Sequence, residues 1–362
     1  MIFQQLYPAQ ILPHRLDQFL AEGWYRRGQS IFTTAFVATF EGLFDAPWLR
    51  LDVRKHKFRK RLRRLMRQNG ELFEIRSGPA RIDDEKREMT EIFRQEFKGD
   101  YYESLEDALY GDRPLSSPSV FTTHQIELFF EGRLIGFSFF DLGKSSMASI
   151  LGIYDHEFSR HSLGLYTMLL EIEKCQREGL DFYYPGYAMP GNPRFDYKLR
   201  LGELDFLEPI SGDWKPWSDF SEKTSPRADL RAEIARAQAV LPENWGAGAY
   251  FNFEAPCEFL ARTKNAEFLQ SPLFLAPKDH AETSRTLVIE FNQTERLFRL
   301  SRFEAVQALP FPHHKRPLDF LSLPAHFDVA DFIFLGSLVR EEILGETCDS
   351  EGLPALVRSA GG

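Results

Sequence analysis

Residues 54–67, RKHKFRKRLRRLMR, hold nine basic side chains (Arg54, Lys55, Lys57, Arg59, Lys60, Arg61, Arg63, Arg64, Arg67) and no acid. A run of that density suits a polyanion, because each phosphate contact releases condensed counterions. Phe58, Leu62, Leu65 and Met66 recur at i, i+4, i+7 and i+8, so one helical face is apolar and the cations fan over the rest. With no acid for i,i+4 pairing, like charges on neighbouring turns repel, and an external anion relieves them. The apolar stripe is narrow and reads as core contact, which favours nucleic acid over an anionic membrane surface. Arg59, Lys60, Arg61, Arg63 and Arg64 are the expected ligands of a phosphate backbone.

Other chemistries find little support. Cys175, Cys257 and Cys348 lie far apart with no CxxC spacing, so each reads as a small buried apolar residue rather than a disulfide partner or zinc ligand. His313-His314 has no HExxH or spaced Cys/His set beside it, and no metal is expected. The chain of 362 residues carries a formal charge of −9, which describes an acidic, folded protein with two or three cores. It has no apolar run of membrane-spanning length, and MIFQQLYPAQ lacks the basic and apolar parts of a secretory signal. The expected compartment is the cytoplasm, with no membrane partner, and the expected state is a monomer.

The elements that must position the chemistry follow from periodicity. HRLDQFLAE (14–22) reads as a short helix ending at Gly23, and QSIFTTAFVATF (29–40) as β structure. ELFEIR (71–76) alternates like an edge strand, residues 83–98 read as a helix ending before Gly99, and 103–110 as another. HQIELFFE (124–131), RLIGFSFFDL (133–142) and SMASILGIYD (146–155) form a strand meander. A long helix then runs from Ser159 or Ser162 to Glu178, capped by Gly179, and LDFYYPGY (180–187) is the next strand.

Helices, a three-strand meander, a helix and a further strand resemble the GNAT acyltransferase layout. The expected fold class is α+β with a mixed sheet: a GNAT-like core, a small N-terminal domain and a C-terminal α+β extension. In that superfamily the helix after the meander opens with backbone N–H groups facing an acyl carrier. Here the loop is HEFSRHSLGLY (156–166), with Ser162-Leu163-Gly164 where a Gly-x-Gly pair would serve coenzyme A. Acetyl-CoA or another acyl-CoA is therefore the poorer of two donors.

The second donor comes from a more specific resemblance. Ser162-Leu163-Gly164, Tyr184-Pro185-Gly186-Tyr187 and Pro193-Arg194-Phe195-Asp196-Tyr197-Lys198 resemble the motifs of the arginyl-tRNA–protein transferases and the related bacterial leucyl-tRNA–protein transferases. EGWYRRGQSIFTT (22–34) resembles that family's Gly-Trp-Arg-Arg-x-Gly segment, and the similarity spans about residues 8–210. Two departures stand out: the family's metal-binding cysteines are absent from TTAFVATFEGLFDAPW (33–48), and Tyr25 replaces the first paired arginine. These put the identity of the acceptor in question.

The resemblance implies transfer of an amino acid from aminoacyl-tRNA, the co-substrate, to the N-terminal amine of an acceptor protein, with no other cofactor. Such an ester is already activated, so the protein must supply proximity, a deprotonated amine and oxyanion stabilisation, and needs no nucleophile. Strand ends offer Asp141, Asp155, Tyr184 and Tyr187. Asp141, or a water it holds, is expected to take the proton, and Tyr187 to orient the aminoacyl group. Ser162, Gly164, Tyr184, Gly186, Arg194, Tyr197 and Lys198 would hold the aminoacylated end, with Arg200 beside them and Tyr197 stacking on a terminal base. Arg26 and Arg27 would hold an acidic N-terminal residue of the acceptor. Two readings stay open beside this one: an N-acyltransferase using acyl-CoA, and a non-catalytic RNA-binding relative. Whether arginine, leucine or another residue is moved is also open.

The expected division is an N-terminal acceptor and tRNA domain at 1–78, the acyltransferase domain at 79–212 and a linker at 213–227. A C-terminal extension without a chemical motif follows at 228–362. That extension is expected to hold a helix at 226–240, β structure at 285–292 and 296–303, a helix at 329–345 and a loose tail from about 349.

Overall fold

The computed structural model describes residues 3–39, 42–96, 102–111, 113–250, 267, 269, 271–278, 285–306, 332–334 and 337–360. The chain opens with β1 (Phe3–Leu6), α1 (Pro13–Ala21), β2 (Tyr25–Arg27) and β3 (Ser30–Thr34), whose strands form a sheet in the order β1-β3-β2. A ribbon of β4 (Phe36–Thr39) and β5 (Gly42–Asp45) follows. Then come β6 (Trp48–Asp52), α2 (Lys60–Gly70), β7 (Glu74–Pro79), α3 (Asp84–Glu96) and α4 (Leu105–Tyr110). The meander strands are β8 (Thr123–Phe130), β9 (Arg133–Leu142) and β10 (Ser146–Tyr154), and α5 (Leu163–Glu178) leads from them to β11 (Phe182–Tyr187). With β12 (Leu204–Leu207) and β13 (Trp214–Pro216) they make one eight-stranded sheet, β13-β12-β6-β11-β10-β9-β8-β7. In it β10 and β11 run parallel and the other neighbours antiparallel. After α6 (Pro226–Val240) come β14 (Trp245–Tyr250), β15 (Leu273–Pro277), β16 (Arg285–Asn292), β17 (Leu297–Val306), β18 (Phe332–Phe334) and β19 (Ser337–Thr347). They form a second sheet, β18-β14-β15-β16-β17-β19, and α7 (Leu353–Ala360) closes the described chain.

The turns of the meander explain its register. Glu131 and Gly132 both have positive φ, the geometry of a two-residue hairpin whose twist matches the flanking strands. At the next turn Asp17 of α1 accepts from the backbone N–H of Lys144 and Ser145 and from the Ser146 hydroxyl, which ties α1 to the β9–β10 corner. The large sheet is covered on both faces. Phe140, Met147 and Tyr183 pack under α5 with Leu163, Leu169 and Ile172, while Phe137, Phe139 and Ile153 pack under α3 and α4 with Phe93 and Leu109. Helix α5 ends at Gly179, whose φ of 71° is the left-handed cap that L residues resist.

Several expectations change in three dimensions. The single β stretch at 29–40 is two strands, because the Thr34 hydroxyl accepts from the Phe36 N–H and donates to its carbonyl, turning the chain. The basic helix starts at Lys60, not Arg54: Arg54 and Lys55 pair with Asp52, and residues 54–59 form the approach to α2. The expected linker at 213–227 contains β13, and the boundaries at 78/79 and 212/213 both fall within the eight-stranded sheet, which takes β6 and β13 from either side. A third core also joins Ile31, Phe36 and Trp48 to Leu230, Ile234, Val288 and Leu300.

The expected helix at 329–345 is largely strand, because the charges of β19 find partners across the sheet: Arg302 with Glu342 at 2.8 Å and Arg299 with Glu346 at 2.6 Å. Residues 329–331 and 335–336 lie outside the described residues. The tail is helical rather than loose, with Leu353 buried and the Leu356 side chain seated over Gly345. Cys175 is buried, whereas Cys348 is exposed; Cys257, His313 and His314 lie outside the described residues.

Burying a Leu-sized side chain contributes about 1.5–3 kcal/mol. Truncation after Asp349 should therefore lower the apparent melting temperature by several degrees in a thermal scan, and an unchanged value would contradict the packing of α7.

Candidate active site

Strands β10 and β11 pair at only three positions, Ser146 with Phe182, Met147 with Tyr183 and Ala148 with Tyr184. Beyond them the strands part, for reasons written in the local sequence. Pro185 has no amide hydrogen to give a ladder. Gly186 takes a φ of +86°, where the register of β11 on β6 shifts. On the other side β10 bulges between Ser149 and Leu151, leaving Ile150 without a register partner. The result is a wedge between two strands at the N-terminal end of α5.

Polar groups gather at its apex. The Tyr25 hydroxyl reaches the carbonyl oxygens of Ser149 on β10 and, at 3.0 Å, of Tyr184 on β11, while its ring stacks on Trp48 with centroids 5.1 Å apart. Burial pushes the Tyr25 phenol well up, and the nearby Glu171 and Asp141 carboxyls add to that, so the hydroxyl keeps its proton. Glu171, on the sheet-facing side of α5, is fully buried, and its Oε2 accepts from the Tyr183 hydroxyl at 2.7 Å. Burial raises its pKa to about 7, with the hydroxyls of Ser138, Tyr183 and Ser149 opposing the shift. Glu171 Oε1 and Ser138 Oγ have no partner in hydrogen-bonding geometry.

The mouth of the wedge is aromatic and cationic. Lys198 Nζ donates to the Tyr187 carbonyl at 2.9 Å and lies 5.1 Å from the Phe195 ring centroid and 5.4 Å from that of Tyr187. Burial pulls its pKa down to about 7. A Cβ on Gly186 would stand 3.2 Å from that Nζ, and one on Gly164 would stand 3.1 Å from the Tyr154 ring, so both glycines permit close approach. Ser162 precedes α5 with a φ of 51°. Tyr187 is half-buried, stacked on Phe195 and edge-on to Trp48, while Arg194, Tyr197 and Arg200 are exposed in two short helical turns.

Three expected roles meet obstacles. Asp141 is 0 % exposed and faces away from Glu171, since Ala148 opposes it and Ser149 opposes Phe140. Its Oδ1 accepts from Arg26 Nη1 at 2.9 Å and from the Thr123 hydroxyl at 2.7 Å, so it is not placed to take a proton in the wedge. Arg26 is equally committed: Nε donates to the Gly28 carbonyl, Nη2 to that of Leu109, and the guanidinium lies over Phe121. It does not reach an acceptor carboxylate. Tyr184 is buried edge-on against Trp214, its phenol pushed up to about 12 by burial, and it offers the wedge its backbone rather than its ring. Asp155 accepts from the Glu157 N–H and pairs with Arg133.

Sequence reasoning missed Tyr25, Ser149, Glu171 and Tyr183 as site residues. Glu171 left a signal: it is an acid in the helical row of Gly164, Thr167, Met168 and Cys175, otherwise uncharged and turned to the core. Arg59, Lys60, Arg61, Arg63 and Arg64 are exposed as expected, and α2 is joined to the loop before α5 by Asn69 Nδ2 donating to the His161 carbonyl at 2.9 Å. Among the described residues no group of three or more His, Cys, Asp or Glu could share a metal ion.

Two stability measurements follow. Asp141→Ala leaves the Arg26 guanidinium buried without its carboxylate and should cost about 3–5 kcal/mol in denaturant unfolding; the Arg26→Ala, Asp141→Ala double variant should lose less than the two single losses combined. For Glu171 the folded pKa lies above the unfolded one, so the fold favours the protonated acid, and this contribution is lost as pH rises through about 7. Glu171→Gln should therefore be more stable than the parent at pH 8, with the gain fading by pH 5.

Residues 81–208 match the family model described as arginine-tRNA-protein transferase, C terminus. Over 247 residues the chain is 26% identical to a Ruegeria pomeroyi protein named aspartate/glutamate leucyltransferase, covering 65% of this chain and 85% of that one. A Leptospira interrogans protein of the same name is 22% identical over 222 residues, 60% of this chain and 85% of its own. Among solved structures, the C-terminal domain of a putative lysylphosphatidylglycerol synthetase from Agrobacterium fabrum aligns over 59% of this chain and 65% of its own, at a TM-score of 0.35 and 13% identity. The matched segment contains the meander, α5 and both walls of the wedge, and over those residues the chain is similar to the arginine-tRNA–protein transferases.

Proposed function

We propose that this protein transfers the aminoacyl group of an aminoacyl-tRNA to the N-terminal amine of an acceptor protein, on a GNAT-like core formed by β8–β10, α5 and β11. The observation that carries this reading is the wedge between β10 and β11 inside the segment that matches the family. The names of the relatives point to leucine as the transferred residue and to aspartate or glutamate as the acceptor's first residue. Aminoacyl-tRNA is the co-substrate, no further cofactor takes part, and a donor of that kind places the reaction in the cytoplasm.

The physical division of labour is as follows. Helix α2 presents its cations to tRNA phosphates and, through the Asn69–His161 contact, lies beside the loop that opens α5. The N–H groups of Leu163, Gly164 and Leu165 precede the first helical acceptor pairing, in which Tyr166 N–H meets the Ser162 carbonyl, and face the acceptor end. Tyr197 stacks on the terminal base, Arg194 meets its phosphate, and Tyr187 orients the ester. The backbone amide of Ile150, which falls outside the β9–β10 register at the bulge, would donate to the developing oxyanion. Because Arg26 is spent on Asp141, recognition of an acidic acceptor falls to Arg27 and to Lys198, whose charge is present below about pH 7.

The direct test is transfer of radiolabelled leucine from leucyl-tRNA to peptides that differ only in their first residue. Labelling of Asp- and Glu-initiated peptides is expected, and label from acetyl-CoA instead would overturn the reading. Charge reversal at Arg61, Arg63 and Arg64, all exposed, should leave folding intact, weaken tRNA binding and reduce its log–log salt slope by roughly 2–3.

A further inference from the structure

Aminoacyl transfer to an amine releases a proton, and the groups first expected to accept it are elsewhere: Asp141 is buried on the opposite side of the sheet in an ion pair. At the apex of the wedge, one carboxyl remains unused. Glu171 is closed to solvent, is held at Oε2 by Tyr183, and has at Oε1 no hydrogen-bonding partner. A buried acceptor left unsatisfied costs about 1–3 kcal/mol, so its retention calls for a compensating use. The groups that face it are neutral hydroxyls and phenols: Ser138 from β9, Ser149 from β10, Tyr183 from β11, Tyr25 from β2 and Tyr197 beyond β11, with the Cys175 thiol one turn along α5. Among the described residues, no cation offsets the cost of its charge.

Ser149 connects this buried carboxyl to the wedge. It is half-buried, sits at the first position of β10 beyond the pairing with β11, and begins the bulge. Its hydroxyl lies near enough to Glu171 to favour the carboxylate, and its carbonyl is held by Tyr25. Bulges re-aim side chains in this way beside active sites.

We infer that Glu171, acting through the Ser149 hydroxyl, holds the proton given up by the attacking amine, a role that rests on the transferase reading above. The acceptor's ammonium passes one proton to Ser149 as Ser149 passes its own to Glu171. The freed nitrogen pair attacks the ester carbonyl, and the bond from that carbon to the ribose oxygen breaks. The ribose oxygen leaves with a second proton from the nitrogen, and Glu171 returns the first to solvent along the same hydroxyl once the product has gone. Glu171 touches no substrate and is a positioning residue; its poise near pH 7 suits a group that must both take and release a proton.

The test compares the full-length parent with Glu171→Gln, Ser149→Ala and Ser149→Thr, using leucyl-tRNA and an Asp-initiated peptide in single turnover from pH 5.5 to 9. The parent should show an inflection near 7 in addition to that of the peptide amine at about 8. Glu171→Gln should lose about 100-fold in rate at pH 7.5 and lose the lower inflection, while binding leucyl-tRNA as tightly as the parent. Ser149→Ala should reproduce the loss and Ser149→Thr should restore the rate, so the proposal stands or falls on Ser149 if Glu171→Gln does not fold. Parental rates and inflections in both Glu171→Gln and Ser149→Ala would overturn this assignment alone. Loss of tRNA binding in step with rate would overturn it in favour of a structural role. A parent inactive with every charged tRNA would overturn the transferase reading itself.

Discussion

The separation of β10 from β11 after three paired residues is the constraint from which the rest of the site follows. Parting two strands in the middle of a sheet leaves backbone groups without ladder partners, and such groups must be satisfied or supplied with water or ligand. Pro185 and the Ile150 bulge make the separation, and Tyr25 limits its cost by lending one phenol to carbonyls on both strands. Tyr25 comes from β2, far away in sequence, so the N-terminal segment supplies the group that satisfies both parted strands. Trp48 fixes that segment, stacking on Tyr25 and meeting Tyr187 edge-on.

Two buried acids near this wedge have opposite fates. Asp141 accepts from Arg26 and Thr123, and Arg26 donates in addition to Thr123 and to the Leu109 carbonyl, which makes the guanidinium a rivet between β2, α4 and the meander. Glu171 is matched only by neutral hydroxyls, which oppose the effect of burial without cancelling it. The difference lies in what the opposite element supplies rather than in the carboxyl itself. Lys198 shows the same principle with the sign reversed: held by a carbonyl and two aromatic faces, it loses affinity for its proton.

Much of the architecture was legible in the chain. The meander, the long helix with its Gly179 cap and the exposed cations of α2 follow from periodicity and turn chemistry, which are local and therefore written in neighbouring residues. What was misread was decided at a distance. VREEIL looks helical by composition, yet Arg302 of β17 pairs with Glu342 and Arg285 of β16 with Glu341 where it lies as a strand. DWKPWSD has the residues of a linker, yet Trp214 packs on Tyr184 and donates from its indole to the Ala21 carbonyl. Domain edges drawn from composition fail because β6 and β13 complete a sheet begun elsewhere.

The sequence by itself carried the local signals: a basic run with no acid inside it, and the Tyr184–Tyr187 and Pro193–Lys198 segments that resemble those of the aminoacyl-tRNA–protein transferases. Only the tertiary structure decided which titratable groups face the wedge. Arg26 and Asp141, each a candidate when read alone, neutralise one another once β2 lies against β9, and Glu171, lost in an apolar helix row, is brought beneath the parted strands. The physical reason is that spacing along a chain encodes periodicity and local turns, whereas charge compensation depends on which elements meet, and that meeting is settled by packing.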